Sequence, residues 1–313
     1  MAVHTILSTE NIREILNFYD IGALVNYKGI EQGIENTNYL IETSVNKFIL
    51  TIYEKRVKIR DLPFYFDLLE YCQKHEINCP IPIRDKRNQR LQQFDKKYFS
   101  LFSFINGKCL NEWDDNICFQ VGKVLGRFHK NNISFNKKKL NDFGLTSWET
   151  LFKKCQEQLN SIIPKSSEFI ENEIKYIHNN WPSELPEGIV HADLFPDNIL
   201  FIDRKISGIL DFYFACVDYY IYDLAILINA WSFYNEKFEI NFFKNLILGY
   251  QSERKLYKSE KKSLNICLRG ASIRFLLTRA NDYIFNKDHF INKDPVSYFK
   301  ILRFHNSYSL KID

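Results

Sequence analysis

The segment GIVHADLFPDNILFIDRKISGILDFYFAC, from Gly188 to Cys216, constrains the chain more than any other. Its apolar runs, Ile189-Val190, Ile199–Ile202 and Ile209-Leu210, are too short for helices and read as strands. His191, Asp193, Asn198 and Asp211 stand at the ends of those runs, on loops. The four residues between Asp193 and Asn198 let one tight turn present both side chains to a single cavity.

Oxygen-bearing side chains on neighbouring loops suit phosphoryl transfer, which needs positioning and charge stabilisation more than covalent help from the protein. In that chemistry Asp193 orients an incoming hydroxyl and accepts its proton. Asn198 and Asp211 each lend an oxygen to Mg²⁺, which keeps part of its shell for the phosphates of ATP. His191 is grouped with Asp193 as a residue of the same loop, packing and hydrogen-bonding around it. Asp223 is expected to brace the loop, and His129 to meet the dipole at a helix C-terminus.

The surrounding chain predicts an α+β architecture. A helix from Ser8 to Tyr19 leads into a hairpin, Asn38–Glu42 and Lys47–Tyr53, turned at Ser44–Asn46. A helix from Asp61 to about His75 and a strand pair within Arg90–Phe104 complete a small N-terminal lobe over residues 1–106. Residues 107–313 read as a larger, mostly helical lobe, with a helix opening at Asn116 and a helical insertion near 131–187. Gly29 and Gly33, followed by Asn36 and Thr37, form the expected glycine-rich lid over a nucleotide. The stretch containing Phe104 is the expected adenine hinge.

Composition excludes several classes. Net charge is only +4, and the basic runs are short and far apart, unlike a nucleic-acid-binding stripe. The seven cysteines form no C-x-x-C pair, which points to reduced thiols and a cytoplasmic location. The N-terminus lacks the pattern of a signal peptide, and no apolar run approaches the roughly 18 residues of a membrane span.

HADLFPDN, SGILDFYFAC and YDLAILINAW, with GIEQGIENTNYLI, LTIYEKRV and GASIRFLLTR, resemble the homoserine kinases of the aminoglycoside-phosphotransferase and choline-kinase-like superfamily. The resemblance covers nearly the whole chain. It implies a protein-kinase-like two-lobed fold, Asp193 as the catalytic carboxylate, Asn198 and Asp211 as Mg²⁺ ligands, and ATP and homoserine as substrates in threonine biosynthesis.

One position departs from the wider kinase pattern. Thr51 falls near where a phosphate-pairing Lys is common, so Lys55 or Arg56 is expected to supply that charge, with Glu70 orienting it. An amino-acid acceptor calls for an Arg to read its carboxylate. Arg274 and Arg279 are the candidates, with Asp218 and Asn229 as further polar groups. Choline, an aminoglycoside or methylthioribose stay open as acceptors, and a nucleotide-holding pseudokinase as a different class.

Overall fold

Alternation of apolar and polar residues in the first hundred residues becomes an antiparallel sheet. Its strands are β1 (Leu24–Ile30), β2 (Thr37–Thr43), β3 (Lys47–Ile52), β4 (Gln92–Phe94) and β5 (Lys97–Ser103), in the spatial order β1-β2-β3-β5-β4. The turn between β2 and β3 is tied by Thr43, whose Oγ1 accepts the N–H groups of Val45 and Asn46 at 3.2 and 3.1 Å. Helix α1 (Thr9–Leu16) starts where Ser8 Oγ accepts the Asn11 N–H at 3.2 Å, satisfying a donor that the helix itself leaves over. It lays Ile12, Ile15 and Leu16 against Ile41, Leu50, Phe99 and Leu101 of the sheet. Burying each of these side chains contributes about 2 kcal/mol. Helix α2 (Leu62–Lys74) has Pro63 in its first turn, where no N–H partner is lost.

This computed structural model describes residues 4–31, 36–54, 57–285 and 293–312. The chain divides into two compact units, Met1–Gly107 with Ser207–Tyr213, and Lys108–Ile206 with Phe214–Asp313. Strand β1 was not expected from the sequence. As an edge strand with no buried residue, it carries Asn26 and Lys28 and shows no clean period.

The second unit is built on helices. Helix α3 (Asp115–Asn131) starts at Asp114, whose side chain accepts the Ile117 N–H at 3.0 Å, slightly before the start expected at Asn116. Helices α4 (Leu145–Ile162) and α5 (Ser167–Asn180) follow. Strand β6 (Glu187–Val190) pairs antiparallel with β9 (Cys216–Tyr219). Between them, β7 (Ile199–Ile202) and β8 (Lys205–Ile209) form a hairpin whose turn residues Asp203 and Arg204 both have positive φ, the conformation that tight hairpins require. Helix α6 (Tyr220–Trp231) is buried on nearly every side. After the short hairpin β10 (Phe233–Tyr234) and β11 (Lys237–Phe238) come α7 (Ile240–Glu253), α8 (Lys258–Phe285) and α9 (Pro295–Ser307). No described helix is long and apolar enough to cross a membrane.

Candidate active site

Strand β6 ends at Val190, and the next three residues carry the loop that the sequence singles out. Ala192 has φ of 63°, a left-handed conformation that costs an L-residue about 1–2 kcal/mol. It is clamped from both sides. Asp223 Oδ1 accepts its N–H at 2.8 Å, and Arg274 Nη1 donates to its carbonyl at 2.6 Å. Asp223 Oδ2 also accepts the His191 N–H at 2.8 Å. Beyond the turn, Asn198 Nδ2 donates to both the carbonyl of Asp193 (2.8 Å) and its Oδ2 (3.0 Å). The two residues predicted to act together are thus joined directly. Because Asn198 spends its amide N–H groups on Asp193, its carbonyl Oδ1 is the atom left to ligate a cation.

Asp223 anchors a buried polar chain. Its Oδ2 accepts from His129 Nε2 at 3.0 Å, and His129 Nδ1 faces the Tyr250 hydroxyl at 2.8 Å. Arg254 Nη1 donates to Tyr250 Oη at 3.1 Å and to Glu260 at 2.9 Å. Burial holds the His129 imidazole below its ordinary pKa against the pull of Asp223, so the neutral ring donates from Nε2 and accepts at Nδ1. Burial alone would raise the Asp223 carboxyl. The bonds from His129 and the His191 amide outweigh it and hold the group below the usual carboxylate range. His129 is fully buried and braces Asp223, so the dipole role expected from its place in α3 is corrected. His191 takes the packing and hydrogen-bonding place expected of it, not a proton-transfer one. It is 1% exposed and its Nδ1 accepts the Asp193 N–H at 3.3 Å, so it shapes the loop.

The remaining nucleotide-side candidates belong to the first unit. Asp211 follows β8 with φ of 59°, a second left-handed residue at a predicted functional position. Gly29 lies within β1 opposite Tyr39, not in a loop. Gly33, Lys55 and Arg56 lie outside the described residues. Asn36 is buried, and its Oδ1 accepts the Glu54 N–H at 3.3 Å. Thr37 does not fit a phosphate-binding role. Its hydroxyl accepts from the His4 and Thr5 N–H groups and donates to Glu54 Oε1 at 2.9 Å, which exhausts its bonding capacity. Phe104, just past β5, is 37% exposed. Glu70 pairs with Arg84 (2.8 Å) and Arg90 (3.1 Å), and its expected partners Lys55 and Arg56 lie outside the described residues. Lys97, which the sequence did not single out, pairs with Glu54 at 2.7 Å. Opposite charges that meet only through sheet register leave no mark in either local segment.

Residues 26–258 match the phosphotransferase enzyme family. The chain belongs to that family. Along nearly its whole length this phosphotransferase is similar to homoserine kinases. It is 38% identical to the one from Gluconobacter oxydans over 99% of both chains, and 37% identical to the one from Agrobacterium fabrum over 98% of this chain and 96% of that one. Among solved structures it resembles the amicoumacin kinase hAmiN (TM-score 0.73, 16% identity, 97% of this chain and 94% of that one). It also resembles the spectinomycin phosphotransferase APH(9)-Ia (TM-score 0.70, 13% identity, 96% and 94%). At those identities the likeness concerns the fold, which is protein-kinase-like. The chain is an ATP-dependent kinase.

On the acceptor side the phosphotransferase separates the four sequence candidates. Arg274, 2% exposed, is committed to the Ala192 carbonyl and stacks on Phe275, which corrects its assignment as a reader of substrate. Asn229 is likewise corrected. It ties α6 to α8 through Leu268 O (2.9 Å) and Ser272 Oγ (3.1 Å), and to α9 through His305 (2.8 Å). Asp218 accepts from Asn141 at 2.7 Å, and burial holds its carboxyl above the usual range. Arg279 lines a cavity of about 780 Å³ in the second unit, together with Asn229, Phe195, Tyr298, Glu236, Lys237 and Lys300.

Proposed function

We propose that this phosphotransferase is a homoserine kinase, converting ATP and L-homoserine to ADP and O-phospho-L-homoserine. The homoserine oxygen forms a bond to the γ-phosphorus, the bond from that phosphorus to the β,γ-bridging oxygen breaks, and ADP leaves with the electron pair. Asp193 orients the hydroxyl and receives its proton. Asn198 holds one oxygen of that carboxylate, which fixes the rotamer from which the group acts. The amide orientation of Asn198 and the oxygen donors of Asp211 suit Mg²⁺, a hard cation that keeps places for phosphate oxygens. When bound, Mg²⁺ neutralises charge on the transferring phosphoryl group. Phe104 remains the proposed adenine-side residue, and Gly29, Gly33, Asn36, Lys55 and Arg56 the proposed phosphate side.

The observation that carries the acceptor is the end-to-end similarity to homoserine kinases at 36–38% identity. The seven cysteines are free thiols, and only Cys109 is exposed, which supports the reducing cytoplasm as the compartment. The product is the phosphate ester expected in threonine biosynthesis. Release of ADP measured with homoserine, choline, an aminoglycoside and methylthioribose tests the reading. Turnover is expected with homoserine and little with the others, and equal or better turnover with any of the other three overturns it.

A further inference from the structure

The Tyr298 side chain is 3% exposed, and its hydroxyl has no hydrogen-bond partner among the described residues. A buried hydroxyl without a partner costs about 1–3 kcal/mol, so its retention asks for a reason. Tyr298 lies on α9 and lines the cavity that Arg279 borders from α8. The Arg279 guanidinium sits 4.4 Å from the centre of the Tyr298 ring and 5.8 Å from that of Phe195, two residues past Asp193. Among the described residues Arg279 hydrogen-bonds through Nη1 alone, to Ser297 Oγ at 3.1 Å and to the Asp294 carbonyl at 3.4 Å, and no carboxylate pairs with it. Burial raises the Tyr298 phenol above its ordinary pKa, and the charges of Arg279 and Asp193 both act on it. The hydroxyl therefore stays protonated, as a donor.

We infer that Arg279 and the Tyr298 hydroxyl form an anion clamp that binds the α-carboxylate of the acceptor, setting its side-chain hydroxyl at Asp193. The clamp completes both groups at once. A carboxylate supplies the opposite charge and the acceptor that Arg279 and the phenol lack among the described residues. The wall also carries Lys237 and Lys300 beside the apolar Phe233 and Phe304, and Lys300 is paired with Glu236 at 2.7 Å. The inference rests on the homoserine reading and makes Arg279 and Tyr298 its specificity-determining residues.

Kinetics with homoserine and with 3-aminopropan-1-ol, the same molecule without its carboxylate, test the clamp. Wild type is expected to favour homoserine strongly. Arg279→Gln is expected to raise the KM for homoserine by ~10-fold or more, and Tyr298→Phe by a few-fold, about the loss of one charge-assisted hydrogen bond each. Neither variant is expected to move the KM for ATP or the poor constants for 3-aminopropan-1-ol. Tyr298→Phe has a second signature that a merely structural tyrosine lacks. It removes an unpartnered group, so the ligand-free protein melts at the same or a higher temperature while homoserine binds worse. An unchanged homoserine KM in both variants overturns the clamp, as does wild-type preference for 3-aminopropan-1-ol. A wild-type enzyme that phosphorylates one of the other panel alcohols and leaves homoserine untouched overturns the acceptor reading itself, and the clamp with it.

Discussion

At the scale of single residues, the reacting carboxylate is held by a strained neighbour. Ala192 keeps its left-handed backbone because Asp223 and Arg274 fasten both ends of it, and that conformation turns the next residue, Asp193, toward Asn198. Removing the charge of Asp193 while keeping its shape isolates its chemistry. Asp193→Asn is expected to lower kcat at least ~10²-fold with the melting temperature little changed, measured by coupled ADP release and thermal unfolding. Arg274 and Arg279 should part company in the same assay. Arg274→Met leaves the Ala192 carbonyl without its donor, and kcat is expected to fall roughly 10-fold with the homoserine KM unaltered, the reverse of the pattern at Arg279. The direct link between Asp193 and Asn198 was legible from the loop spacing. Arg274 was misassigned because local sequence shows an Arg in an apolar helix without showing which carbonyl lies opposite.

Among the elements, α3 and α7 pack closely enough that glycine is required at their crossing. A Cβ added at Gly122 would lie 2.0 Å from the Leu246 carbonyl oxygen, and one at Gly249 2.0 Å from that of Phe119. Both obstacles are backbone, so neither can rotate aside. Gly249→Ala is expected to destabilise the protein by roughly 2–4 kcal/mol, read as a lowered denaturant midpoint, because the helices must separate. The same crossing supports the site, since α3 supplies His129 and α7 supplies Tyr250 to the chain behind Asp223. Helix existence and type were readable from the stripe of Ile117, Val121, Val124, Leu125 and Phe128. The close approach was not, because a glycine inside a helix looks the same in sequence whether it packs or is merely tolerated.

Over the whole molecule, acid stability should report the buried imidazoles. His305 is 1% exposed, and burial lowers its pKa from the usual 6.5 to about 3. Its folded value lies below its unfolded value, so the unfolded chain binds the extra proton between those two points. Stability is therefore complete above about pH 6.5 and is lost as the pH falls toward 3, by up to roughly 5 kcal/mol from this group. His129 and Asp223, both lowered, act in the same direction. Melting temperature followed from pH 7 to pH 4 should fall, and His305→Gln should flatten that fall. Chelation of divalent metal is expected to abolish turnover without unfolding the chain, with Mg²⁺ restoring activity.

The linear sequence by itself determined the α+β class, the family and the loop that carries Asp193 and Asn198. Strand alternation, helix caps and the turn from Asp193 to Asn198 act over a few residues, so their causes lie next to their effects. Only the tertiary structure decided that Thr37 is saturated, that Glu70 belongs to Arg84 and Arg90, that Arg274 clamps a backbone carbonyl, and that Arg279 meets Tyr298 at a cavity. Each of those outcomes depends on which groups from distant segments compete for one donor or acceptor. That competition is settled when the elements pack.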